Sequence, residues 1–373
     1  MNPINKKIYS FQSLRAISIF AIFLGHLAYF EKIGFLSTVY PHISYSRFPV
    51  NTFFVLSGFI MGYIYGGIRN RLKWCTFIKK RYAKIYIPYL VCLMIGIFRY
   101  FYNFYQDESI PFFIFRLVVS IPVFQAAIPY GDISHSFNGV AWFLSCTIIL
   151  YMLTPWLLSL NNRISRKKHL ATVFYILNLG VFGICYMVFR YLQYYRFPEL
   201  QLSLVYSTVY IRIFSFLAGI LCFTIREELR TANLRISNLE LPLALTSLLW
   251  WLFAGIIPLP MVFQELINMV LASLLIIVFS FDGGPVSGHL NSQKWLLFFG
   301  DISLEFYLIH YLVINICIDL IESVLTKNVF LGLISAIAFF AISYYLAVIL
   351  HRLSSKFYTS VIINSNKSSD IRI

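Results

Sequence analysis

Ten apolar runs, at about residues 11–30, 51–66, 84–104, 141–160, 169–191, 204–224, 240–256, 261–280, 301–322 and 329–350, constrain this chain more than any other feature of its sequence. A helix of about 20 apolar residues crosses a hydrocarbon core of roughly 30 Å, and most of these runs reach or approach that length. In lipid every backbone N–H and C=O must be satisfied within the protein, which leaves helices and closed barrels. Runs this long without period-two alternation exclude the barrel. The expected fold is all-α, a polytopic integral membrane helical bundle of about ten transmembrane helices in which residues 1–373 form a single membrane-embedded domain.

Composition agrees with a lipid solvent. The chain is 59% hydrophobic and 12% charged, with a mean hydropathy of +0.75, against about 25% charged residues in an ordinary soluble domain. Its formal charge of +15 comes from 30 Lys and Arg against 15 Asp and Glu. In a soluble protein that excess would point to nucleic acid; in a membrane protein it is sorted by the positive-inside rule.

With the N-terminus inside, 21 of the 30 basic residues fall on inner segments and five on outer loops: Lys32, Arg47, Arg116, Arg196 and Lys327. Arg15, Arg99, Arg190 and Arg212 fall within spans. Both termini are therefore expected in the cytoplasm, with membrane lipid and no nucleic acid as partner. Residues 110–129 are apolar enough for an eleventh span, but counting them would move Arg163, Arg166, Lys167 and Lys168 outside, so an interfacial or re-entrant piece is expected. Lys6 and Lys7 precede the first run without a small-residue cleavage site, which predicts a retained first span rather than a signal peptide. The six cysteines have no metal-ligand spacing and read as small hydrophobes; no metal is expected.

The first span carries two ionisable residues, Arg15 and His26. Such residues inside a membrane are costly and mark function by default. Eleven helical positions turn through about 1,100° and rise about 16.5 Å, so both side chains share a face, with Arg15 near the cytoplasmic end and His26 deeper. The plainer readings are that Arg15 snorkels to the inner headgroups and that His26 satisfies a hydrogen bond in the bundle. A general base with a pKa near working pH is what a histidine supplies, and a guanidinium suits phosphate or a polarised carbonyl. A proton path would fit the same pair.

Other constellations accompany it. Lys79, Lys80, Arg81 and Lys84 follow the second span, and Arg81 and Lys84, three apart, share a helix face where phosphate could bind. In PVNTFFVLSGF, Asn51 opens the second span, Ser57 is a possible nucleophile without a visible base, and Gly58 and Gly62 have the spacing of close helix packing. Trp142 reads as an interfacial belt residue. Arg212 is a further intramembrane cation whose partner the sequence does not name. In GDISLEFYLIHYL, Tyr307 and His310 share a face.

Taken together and in order, these segments resemble the membrane acyltransferase 3 family, which includes bacterial O-acetyltransferases of lipopolysaccharide, exopolysaccharide and capsule. The most specific likeness is Arg15-x10-His26. PVNTFFVLSGF resembles the family's GVDxFFVxSGF, with Asn51 where an acidic residue is usual. KKRYAKIYIPY resembles RRxxRIxPxY, with Lys84 in place of the second arginine. AWFLSCTIILYMLTP carries Thr147 where many members have Glu, and RIFSFLAGI and DISLEFYLIH complete the order.

The resemblance implies an O-acyltransferase, most simply an O-acetyltransferase, of the bacterial inner membrane, moving an acyl group from cytoplasmic acyl-CoA to a carbohydrate hydroxyl. It implies catalytic roles for His26 and Arg15 and a donor site at Arg15, Arg81 and Lys84. Asn51, Ser57, Trp142, Arg212, Tyr307 and His310 would support the site or face the acceptor. No bound cofactor is expected, acetyl-CoA being a co-substrate, and the short stretch after Arg352 leaves no room for the extracytoplasmic esterase-like domain that some members carry. Two other readings stay open: a transporter or flippase, and a noncatalytic conduit that hands acyl groups to a separate transferase.

Overall fold

The computed structural model describes residues 7–27, 41–42, 45–66, 71–103, 109–197, 203–232, 236–325 and 329–369. The ends of two expected spans, residues 28–30 and 104, and the outer-loop residues Lys32 and Lys327 lie outside them. Among the described residues the chain is helical, with no strand. The principal helices are α1 (Ser10–Gly25), α2 (Arg47–Tyr65), α3 (Arg71–Asn103), α4 (Ile110–Ser120), α5 (Trp142–Ile164), α6 (Leu170–Tyr195), α7 (Val209–Thr231), α8 (Glu240–Phe253), α9 (Met261–Phe279), α10 (Pro285–Ser292), α11 (Lys294–Asp301), α12 (Ser303–Leu325) and α13 (Val329–Ser369).

Eight of these, α2, α3, α5, α6, α7, α9, α12 and α13, are long and apolar enough to cross a membrane. The two remaining expected spans are the shorter α1, of 16 residues, and α8, of 14. The protein is thus a multi-pass helical membrane bundle. Several boundaries differ from the sequence reading. The basic segment at 71–83 is the first part of the 33-residue α3 rather than a loop, because Lys and Arg are good helix formers. Arg47 opens α2 instead of lying in an outer loop. The expected span at 301–322 is broken at Ile302, so that Asp301 ends α11 and α12 starts at Ser303.

Helix α4, with 11 residues, is too short to span. The chain turns back after it through Val123, at φ 64°, and its return is buried: Tyr89 Oη donates to the Ser120 carbonyl at 2.6 Å and the Ala126 N–H to Ser145 Oγ at 3.0 Å. A segment packed against α3 and α5 in this way satisfies its non-helical backbone against protein.

Helix α2 is the hub, packing on α7, α9, α1 and α5. Its approach to α7 depends on small residues. A methyl group on Gly58 would lie 1.9 Å from the Phe216 carbonyl oxygen, and one on Gly219 would lie 2.0 Å from that of Val55. Contact at backbone distance supplies the dispersion attraction that holds helices together where lipid removes the hydrophobic driving force. Gly300 does the same for α11, where a methyl group would meet the Gln12 carbonyl oxygen of α1 at 2.1 Å. That contact fixes the helix bearing Arg15 against the segment bearing Asp301 and Glu305.

Candidate active site

Helices α1, α2, α3, α5 and the α11–α12 junction enclose a cavity of about 120 Å³. Arg15 projects into it from α1, Arg81 and Lys84 from α3, Ser57 from α2 and Thr147 and Tyr151 from α5; Asp301, Ser303, Glu305 and Tyr307 close the far wall. All three residues expected to hold the donor therefore meet in one place, although they come from two helices 66 residues apart in sequence.

Arg81 is held by aromatic faces. Its guanidinium lies 5.7 Å from the ring centroids of Tyr65 and Phe77 and 5.8 Å from that of Tyr151, and it donates to Tyr65 Oη at 3.3 Å. Arg15 and Lys84 make no hydrogen bond or ion pair with a described residue, so their donors remain available to a ligand. The two carboxylates are engaged elsewhere. Asp301 accepts from Gln12 at 3.2 Å and lies 3.7 Å from Lys7. Glu305 Oε1 pairs with His351 at 3.0 Å and Ser354 at 3.3 Å, leaving its buried Oε2 without a partner. The cavity, with three cations on its lining, suits an anionic ligand.

His26 does not line this cavity. It caps α1 and meets His310 of α12, Nδ1 to Nε2, at 2.9 Å. The direction of that bond follows from a second one. His310 Nδ1 lies 3.0 Å from the Phe306 carbonyl oxygen, which can only accept, so Nδ1 carries the proton and Nε2 of the neutral ring is an acceptor. His26 Nδ1–H therefore donates to His310, and the lone pair of neutral His26 rests on Nε2. A histidine held in one tautomer by a second group is the arrangement a general base requires.

Rings beside the pair line two cavities, although neither histidine does. On one side, the ring of Tyr307, which lines the cationic cavity, lies 5.8 Å from His310. On the other, the ring of Tyr311 lies 5.3 Å from His26 and borders a second cavity of about 380 Å³. Arg99, Tyr100, Arg116, His135 and Asn315 also border it. Helix α12 is thus a common wall, presenting Glu305 and Tyr307 to the first space and Tyr311 and Asn315 to the second, with His310 between.

Three of the expected site residues lie away from both cavities. Asn51 Nδ2 donates to Glu265 Oε2 at 2.7 Å, and its Oδ1 accepts from Ser215 at 2.7 Å and Arg212 at 3.4 Å. Arg212 lies 3.7 Å from the same carboxylate and over the rings of Phe54, Trp142 and Tyr206. Trp142 is not a belt residue: it is buried against Phe54 and Tyr206, because Arg212 supplies a cation for its face. Together they form a buried brace joining α2, α5, α7 and α9. Ser57 does line the first cavity, where no histidine is among the described lining residues. Thr147 bonds the Phe143 carbonyl of its own helix at 2.8 Å.

Sequence reasoning did not single out Glu265, the Tyr65 and Tyr151 rings or the second cavity. An acidic residue inside an expected span was the available signal for Glu265.

No curated protein and no solved structure matches the chain at a significant level. A family model described as an acyltransferase domain matches residues 8–352, and these include the cationic cavity, the histidine pair and the buried brace. The chain is a membrane acyltransferase and belongs to the acyltransferase 3 family.

Proposed function

We propose that the chain is an O-acetyltransferase of the bacterial inner membrane that carries an acetyl group from cytoplasmic acetyl-CoA to a hydroxyl of a surface polysaccharide or its lipid-linked precursor. The observation that carries the reading is the His26–His310 pair, whose neighbouring rings Tyr307 and Tyr311 line a cationic cavity and a second, aromatic-lined one. The donor's phosphates lie at Arg15, Arg81 and Lys84, the end that the charge bias puts toward the cytoplasm. Its pantetheine arm runs past Tyr307. The rise of about 16.5 Å between Arg15 and His26 is roughly the reach of such an arm extended.

The acceptor sugar enters from the other side, against Tyr100 and Tyr311. His26 Nε2 takes the proton of its hydroxyl as that oxygen attacks the thioester carbonyl carbon; the C–S bond then breaks and the proton passes from His26 to the leaving CoA thiolate. Holding both substrates on one histidine converts a bimolecular reaction into an intramolecular one, which supplies much of the acceleration. Direct transfer is favoured over an acyl-Ser57 intermediate because no histidine is among the described residues that line the cavity with Ser57.

Reconstituted protein supplied with labelled acetyl-CoA and isolated acceptor glycan should release CoA and label the glycan in equal amounts. Transport of an unlabelled glycan without acyl incorporation, or labelling that requires a second transferase, overturns the proposal. In the same assay Lys84→Ala should raise the KM for acetyl-CoA by about tenfold with little change in kcat, as expected for a charge that binds ground and transition states alike. A fall in kcat at constant KM removes Lys84 from the donor site.

A further inference from the structure

A third cavity, of about 740 Å³, lies between α3 and α5. Its α5 wall is one stripe of Met152, Pro155, Trp156, Ser159, Asn162 and Arg163, and Arg166 follows just past the helix end. These positions recur at three- and four-residue spacing, so they occupy one helix face. Trp74 and Ile78 face them from α3. The Tyr65 and Phe77 rings beside Arg81 also contact Trp74 of this groove, with centroids 6.0 and 5.2 Å away.

The groove is graded in polarity. At one end are Arg163 and Arg166, both exposed and neither making a hydrogen bond or ion pair with a described residue. Toward the other end the lining becomes Met152, Pro155 and Trp156, the last 69% exposed on the outside of the bundle. From Met152 to Arg163 the helix rises about 16.5 Å, about half the thickness of a hydrocarbon core. Both arginines lie on a segment that the positive-inside bias assigns to the cytoplasm.

We infer that this groove binds an anionic phospholipid of the inner leaflet, its phosphate between Arg163 and Arg166 and one acyl chain along Trp156, Pro155 and Met152. Charge, length and a flank open to lipid all match. A nucleotide fits less well, because the deep part of the groove is lined on α5 by Met152, Pro155 and Trp156, which offer a base only one indole N–H, and Asn162 already donates to the Gly66 carbonyl at 2.9 Å. Basic pockets between helices on the cytoplasmic side recognise anionic headgroups through such paired cations.

Native mass spectrometry of the full chain in detergent, with phosphatidylglycerol and phosphatidylcholine of equal chain length, tests the inference. The wild type should retain phosphatidylglycerol preferentially. Arg163→Gln/Arg166→Gln should weaken that retention by about thirtyfold, whereas Lys167→Gln/Lys168→Gln, on the same loop but outside the groove, should leave it unchanged. Because all four side chains are exposed, neither variant threatens folding. Equal retention of the two lipids, an equal loss in the lysine variant, or displacement of phosphatidylglycerol by adenosine 3′,5′-bisphosphate would each overturn it. None of these outcomes bears on acyl transfer.

Discussion

Replacing His26 with alanine should lower kcat for acyl transfer by about 10²–10⁴-fold, the range by which a positioned general base accelerates proton transfer, while the KM for acetyl-CoA changes by less than about twofold. The split follows from geometry. His26 caps α1 beyond the cationic cavity and contributes nothing to its lining, so the donor should bind without it. His310→Ala should be milder, about 10–100-fold in kcat, in line with the loss of a group that only orients another. Its removal frees His26 to adopt either tautomer without deleting the base. The decisive outcome is the order of the two variants: a His310 variant as inactive as His26→Ala would make the α12 ring the base and His26 its support. Retention of wild-type turnover by correctly inserted His26→Ala would end the mechanism altogether.

What made His26 legible in the sequence was local. Two ionisable residues eleven positions apart in an apolar run share a helix face whatever the helix packs against, and the same is true of Arg81 and Lys84. The Gly58 and Gly62 spacing also carried its meaning without a partner, and Gly58 does meet the α7 backbone. Partners were not legible, because a single helix states which face is unusual and not which helix will cover it. That His26 faces His310, 284 positions away, depends on how α1 and α12 cross. The break at Ile302 was hidden for another reason: Gly300, Asp301 and Ser303 are compatible with a helix that continues as well as with one that stops. Asn51 and Trp142 carried a family likeness without a location, and they turned out to brace the bundle rather than line a cavity.

Glu265 makes that brace testable. One carboxylate, almost wholly buried, faces Arg47 at 2.8 Å, Arg212 at 3.7 Å and Asn51 at 2.7 Å. Arg212 is 2% exposed and cannot reach water, whereas Arg47 is 18% exposed. Removing one partner of a buried ion pair leaves an uncompensated charge and costs about 3–5 kcal/mol, so Glu265→Ala should sharply reduce the yield of monodisperse protein and its thermal stability in detergent. The pair itself is a different matter, since its desolvation offsets most of its attraction, and apolar residues of similar volume serve as well. Glu265→Met combined with Arg212→Met should therefore recover much of what Glu265→Ala loses, the exposed Arg47 turning to solvent. If the double variant is as unstable as the single one, the network contributes through its hydrogen bonds to Asn51 and Ser215 rather than through charge. If Glu265→Ala is as stable as the wild type, the Gly58 and Gly219 contacts suffice to join α2 to α7, and apolar packing suffices to hold α9 against them.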